Sequence, residues 1–421
     1  MSSSATGALA RRLRLHDAVL IGLGSMIGAG VFAAFAPAAA VAGRAMLVAL
    51  LLAGVIAFCN ATSSAQLAAR YPTSGGAYVS GRERLGPWAG FTAGWGFVIG
   101  KTASSAAMAM TVAAYLVPEP WQRPVAIVAV LALTVVNTSG ITRTAFLTRI
   151  LVAVAVALVA LTVVVVIGLT HTGPTVDDPA PAPTPVGVLQ AAGFLFFAFA
   201  GYARIATLGE EVIDPVRTIP RAITTALGIT LVVYALVAVA TLHALGPGGT
   251  AASGAPLRSV VATAGQPWAG VVVQIGAAAA ALGALLAMIA GIGRTSLAMA
   301  RNRDLPGWFA VVDPRTSVPA RAEVVLGLVV CFVVAVTDLR GAIGFSSFGV
   351  LLYYFVANTA ALTQERRDRR YPRLLAVGGA VGCVVLVAAL PVPSIVGGVV
   401  VTVIGLAYRG VRIALASDTR T

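Results

Sequence analysis

Two features of this 421-residue sequence have residue types and spacing that could do chemistry: the stretch GLGSMIGAGVF, Gly22–Phe32, and the lysine Lys101. Gly22, Gly24, Gly28 and Gly30 place four glycines within nine positions of an apolar segment running roughly from 18 to 41. Each glycine inside a helix costs about 1 kcal/mol against alanine, so the stretch is a poor continuous helix. An interruption there would free backbone N–H groups and aim a helix N-terminus into the space beside it. Such an end attracts an anion, for example a carboxylate. The Gly24–Gly28 pair also has the GxxxG spacing that lets two helices approach closely, and close packing is the competing reading of the same residues. A dinucleotide-binding loop is excluded, because the glycine spacing is wrong and no βαβ pattern surrounds it.

Lys101 is the single lysine in a chain with 28 arginines. It lies about 13 residues into an apolar segment that starts near Trp88, which is roughly 20 Å of helix and near the middle of a bilayer. Ionisable groups at that depth are costly and mark function. No acid lies at comparable depth on another segment, so the lysine either faces a water-filled cavity or exchanges its proton, which a desolvated lysine can do. The alternative is a structural lysine bonded to carbonyls of the first or eighth segment. Arg204 is the second unusual charge, placed either to pair with Glu210 or Glu211 or to face an inner pathway. His16, His171 and His243 fall at segment ends, and Cys59, Cys331 and Cys383 lie in apolar segments. That pattern gives no metal cluster, disulfide framework or catalytic constellation, so neither an enzyme nor a cofactor is expected.

The elements that must position these residues are membrane spans. The chain is 58% hydrophobic and 10% charged, against about 25% charged in soluble domains. A net charge of +14 raises nucleic acid as a partner, but a basic binding face needs clustered arginines and lysines. Here they fall in short runs between apolar segments, which points to the lipid bilayer and to no nucleic acid. Twelve segments are expected, at about 18–41, 45–68, 88–117, 123–138, 146–170, 187–209, 221–245, 269–300, 322–337, 341–363, 373–390 and 393–409. Numbering these as spans, twenty-two arginines fall on one set of connections and only Arg44, Arg123, Arg258 and Arg340 on the other. Arginine-rich connections are cytoplasmic, so both termini are expected inside, with no cleavable signal peptide. The Pro-rich piece 174–185 and the stretch 247–267 then become external linkers.

Span six repeats the anomaly of span one. GFLFFAFAGYARIATLGEE, Gly193–Glu211, begins as an apolar helix, meets Ala198, Ala200 and Gly201, and then turns polar. Two interrupted helices at corresponding positions of two inverted halves point to a transporter's central site. One transmembrane domain is expected, with a first repeat at about 18–170, a second at about 187–363, and two added helices at about 373–409.

Four stretches carry a family resemblance: GLGSMIGAGVF, then AARYPTSGGAYV (Ala68–Val79), FFAFAGYARIATLGEEVIDPVRTIPRAI (Phe196–Ile223) and RTSLAMARNRDLPGWFAVVDPRTSVPARA (Arg294–Ala322). In these the chain resembles the amino acid–polyamine–organocation superfamily, near its bacterial amino acid permeases. The resemblance implies an all-α membrane fold of twelve helices: a five-plus-five inverted repeat with helices one and six broken, plus two extra helices. It implies an amino acid substrate whose carboxylate meets Gly28, Ala29 and Gly30, with Ser25 and Ile27 adjacent. The substrate ammonium would meet carbonyls at Phe197, Ala198 and Ala200, beside Gly201, and Phe197 would cover the substrate as an outer gate. Relatives without sodium coupling often carry a lysine on span five. This chain has none there, and Lys101 on span three is the candidate replacement for coupling to protons.

In the fold that the resemblance implies, the sodium site takes hydroxyl oxygens from span eight, and on that basis sodium is disfavoured. Span eight, VVVQIGAAAAALGALLAMIAGIG (Val271–Gly293), has no hydroxyl, and a hard cation wants several oxygen ligands. Two cations on the pathway, Lys101 and Arg204, favour neutral amino acids over basic ones and leave acidic ones open. The expectation is therefore a secondary permease of the plasma membrane, proton-coupled or exchanging. An exporter of the same fold and a permease-like nutrient sensor are the other readings.

Overall fold

The computed structural model describes residues 13–72, 75–139, 182–206, 208–209, 211–265, 267–313, 315–316 and 318–418. In chain order the first helices are α1 (Leu15–Ala33), α2 (Phe35–Ala42), α3 (Met46–Arg70), α4 (Ala77–Leu85), α5 (Pro87–Leu116) and α6 (Glu119–Thr138). Then come α7 (Pro185–Phe199), α8 (Ala203–Ala206), α9 (Pro215–Ala252), α10 (Pro256–Thr263) and α11 (Pro267–Arg301). The last are α12 (Ala320–Val336), α13 (Leu339–Leu362), α14 (Arg373–Ala389) and α15 (Val392–Asp418). Among the described residues, nine helical stretches are long and apolar enough to cross a membrane. α12 and α14, each of 17 residues, match expected spans nine and eleven. Expected span five lies outside the described residues.

Local sequence explains where the helices begin and bend. α7 opens with Pro185 at its first position, and the Thr184 hydroxyl accepts from Gly187 N at 3.0 Å, a side-chain cap for an otherwise unbonded donor. Asp338 caps α13 in the same way, accepting from Gly341 N at 2.8 Å. α9 kinks at Gly246, whose φ of 69° suits a residue without a Cβ; Pro247 follows. Close packing is equally local. A Cβ at Gly349 of α13 would come within 2.7 Å of Gly100 Cα and of the Gly96 carbonyl on α5, so these glycines let the two helices touch backbone to backbone.

The expected break in helix one at Gly28–Gly30 is corrected by the structure. α1 runs as α-helix through Gly28, Ala29 and Gly30 to Ala33, and the interruption comes at Ala34, before α2. Packing is the physical reason. A Cβ on Gly28 would overlap Ala284 of α11 and lie 3.0 Å from the Ala280 carbonyl. A Cβ on Gly30 would overlap Ala198 of α7. The glycines bring α1 against both neighbours, and a helix that keeps its backbone bonds internal is the favoured form in lipid.

Span six does change conformation where expected. α7 ends at Phe199, Ala200–Tyr202 forms one turn of 3₁₀ helix, and α8 follows. Around this turn the rings of Phe196, Phe199, Tyr202, Tyr234 and Tyr354 pack edge-on or stacked, with centroids 5.0–5.8 Å apart.

Candidate functional site

Lys101 reaches across to the tightened turn of span six. Lys101 lies at the middle of α5, is 3% exposed, and its Nζ donates to Ala200 O at 3.0 Å. The Tyr354 hydroxyl of α13 donates to the same oxygen at 3.4 Å. The Phe97 ring, one turn before the lysine, lies 6.0 Å from Nζ. A narrow cavity opens beside them, lined by Ser25, Phe97, Lys101, Gly201, Arg204 and Met288 among others. Among the described residues, the charged groups in its wall are both cations. Lys101 is thus bonded to a span-six carbonyl, and not to span one or span eight as the structural alternative had it.

Other residues singled out in the sequence are placed as follows. Ser25 lines the cavity and donates to Ile21 O at 2.9 Å within its own helix. Gly201 packs against the Ser25 carbonyl so closely that a Cβ would overlap it. Ile27 is buried, Ala198 is buried against Gly30 of span one, and Phe197 is buried but does not line the cavity. Glu211 is held by Arg294 of α11 at 2.7 Å, while Arg204 lines the cavity. Expected span eight is found as read, within a residue or two: α11 runs to Arg301, and beyond the hydroxyl-free stretch ending at Gly293 it includes buried Thr295 and Ser296, neither of which lines the cavity.

Sequence reading missed three residues at this centre. Tyr234 of α9 reaches both Met26 O at 2.5 Å and Ala198 O at 3.0 Å, which rivets span one to span six. Tyr354 and Phe97 flank Lys101. The signal was available for the tyrosines: a buried tyrosine brings a hydroxyl that needs a partner, and LVVYALVAV and VLLYYFVAN set theirs in largely apolar segments. Residues 13–411 match the amino acid permease family. The chain belongs to that family.

The relatives are transporters, and the plant and human ones are named for cationic amino acids. An uncharacterized transporter of Mycobacterium tuberculosis (strain ATCC 25618 / H37Rv) is 59% identical over 404 residues, covering 96% of this chain and 92% of its own length. Cationic amino acid transporter 7, chloroplastic, of Arabidopsis thaliana is 30% identical over 377 residues, 83% of this chain and 64% of its own. Cationic amino acid transporter 4 of Homo sapiens is also 30% identical, over 86% of this chain and 61% of its own. The permease is accordingly a multi-pass membrane transporter and not an enzyme.

A second polar centre in this permease closes the end of the bundle where α4, α11 and α15 meet. Asp304, just beyond α11, is 4% exposed and pairs with Arg82 of α4 at 3.2 Å and with Arg409 of α15. The Tyr78 hydroxyl donates to it at 2.8 Å. Burial first, and the bond to Asp304 next, push that phenol well above its ordinary pKa, so it remains a donor. The Arg409 guanidinium also lies over the Trp88 and Phe91 rings, at 5.0 and 5.1 Å, a cation–π sandwich. Nearby, Glu323 at the start of α12 is buried, with its side chain against Gly293. Span depth estimated from sequence gave no hint that these two acids are buried.

Proposed function

We propose that this permease moves amino acids, most favourably neutral ones, across the plasma membrane by alternating access, with both termini cytoplasmic. The observation that carries the reading is the cavity at the interrupted span six. A zwitterion needs acceptors for its ammonium and donors for its carboxylate, and a distorted helix in low dielectric supplies the acceptors without a buried negative charge. Ala198, Ala200 and Gly201 are the ammonium end. Gly28, Ala29, Gly30, Ser25 and Ile27 are the carboxylate end, which needs α1 to open locally when substrate enters. Phe197 remains the proposed outer gate. Two cations in the cavity wall, with no acid among the described residues that line it, disfavour a basic cargo, in contrast to the names of the plant and human relatives. The same two cations favour an acidic amino acid as the second reading.

Drive comes from protons or from exchange, with Lys101 as the coupling residue. The two repeats, five spans each, rock about this site, and α14 and α15 are the added pair. Labelled amino acid flux in proteoliposomes tests the reading, with sodium replaced by choline in a parallel series. Flux that is unchanged in choline supports it. Steep sodium dependence removes the coupling assignment, and binding without flux makes the protein a sensor. Lys101→Arg cannot release its proton and should lose its response to an imposed pH gradient; a normal response would exclude proton coupling through this residue.

A further inference from the structure

The partner of Lys101 carries more information than its depth. On the Ala200 carbonyl the close side-chain bond is that of Lys101 Nζ at 3.0 Å, with the Tyr354 hydroxyl standing off at 3.4 Å, beyond the usual O–H···O range. An incoming primary ammonium that bonds this oxygen competes first with Lys101. Lys101 is the like-for-like occupant. Its Nζ is itself a primary ammonium, it comes from a different helix, and the cavity it lines gives it space to leave. Tyr354 is held among rings, stacked on Tyr202 at 5.0 Å and edge-on with Phe196 at 5.8 Å.

We propose that Lys101 is the protein's own stand-in for the substrate ammonium, occupying the Ala200 carbonyl when no cargo is bound and yielding it when cargo arrives. This rests on the permease reading above. The stand-in satisfies a buried acceptor that would otherwise be costly to enclose, so the unloaded carrier can close and return across the membrane. A transporter with such a device performs net transport and is not confined to one-for-one exchange. A ligand shifts a conformational equilibrium only through its different affinity for the two conformations, and here an internal group does the work of the ligand on the return stroke.

Lys101→Met keeps the bulk of the side chain and removes the ammonium. In this variant, amino acid binding measured by calorimetry on the full-length protein should tighten by about tenfold, the loss of one charge-assisted competitor. In proteoliposomes, net efflux into amino-acid-free buffer should slow at least about tenfold more than exchange against external amino acid. Unchanged or weaker affinity, or equal slowing of efflux and exchange, overturns the stand-in. A measurement on the wild type guards against a variant that does not fold. Lys101 is the single lysine, so [15N]lysine labelling yields one side-chain resonance. Titrating amino acid should move that resonance with the same midpoint as binding. A resonance that stays still while amino acid binds removes this inference alone. Failure of every proteinogenic amino acid to bind the wild type removes the permease reading together with it.

Discussion

Lys101 and Asp304 are both buried charges, 3% and 4% exposed, and they are held in opposite ways. Asp304 meets two arginines and a phenol, drawn from α4 and α15, so its charge is more than matched. Lys101 meets a neutral carbonyl and an aromatic ring, and the other charge in its cavity, Arg204, is of the same sign. A buried charge with opposite partners is hard to disturb, because removing one member strands the others. A buried charge with only dipoles around it is cheaply moved. The molecule thus has a charge-matched polar centre at one end and, at its middle, a lysine held by a carbonyl and an aromatic ring.

The comparison can be broken most forcefully at Asp304. Asp304→Asn keeps the shape but leaves Arg82 and Arg409 facing each other, and should cost about 3–5 kcal/mol of stability. A melting curve of the purified variant close to wild type would show that the cluster is not a lock. Gly28→Leu comes next. It forces a side chain between α1 and α11 where a Cβ already overlaps Ala284, and overpacking of this kind costs about 1–3 kcal/mol. A variant with wild-type melting and wild-type affinity would contradict both the packing and the proposed carboxylate end. Tyr234→Phe removes the rivet between Met26 and Ala198 at a cost of about 1 kcal/mol. It should lower the melting point slightly while slowing transport more than stability alone explains, because spans one and six no longer move as a pair; proportionate losses in both would reduce Tyr234 to packing. The smallest change is expected at Lys101. Lys101→Met removes an uncompensated buried charge, so its melting temperature should equal or exceed that of wild type. A marked drop would make Lys101 a structural residue and erase the contrast with Asp304.

Much of this arrangement was legible in sequence because lipid leaves few choices. Long apolar runs must be helices, and the interruption at Ala200–Gly201 is visible as the place where FLFFAF gives way to AGYAR. The depth of Lys101 followed from counting residues, and the structure puts it at the middle of α5. Glycine spacing at Gly22–Gly30 was ambiguous for a physical reason. The absence of a Cβ weakens a helix and also lets another helix approach, and only the neighbours decide which effect wins. Ala284, Ala280 and Ala198 are those neighbours, and they lie more than 160 residues away in sequence. Separation along the chain also hid the roles of Tyr234, Tyr354 and the partners of Asp304. Their contacts join α9 to α1, α13 to span six and α15 to α4, and none of these pairings has a local signature.

One small feature ties the ends of this machinery together. Leu13 N donates to Glu211 O at 3.0 Å and Ile213 N donates to Leu13 O at 2.8 Å, a single bridge that joins the residue before α1 to the chain just after span six. Mechanically it is a crossbar between two levers. Any tilt of the lower part of span six is transmitted to the start of span one through two short backbone bonds. Because Glu211 is anchored to Arg294, the crossbar also reaches α11. A spectroscopic label placed beside Leu13 would therefore read the movement of three helices through one attachment point.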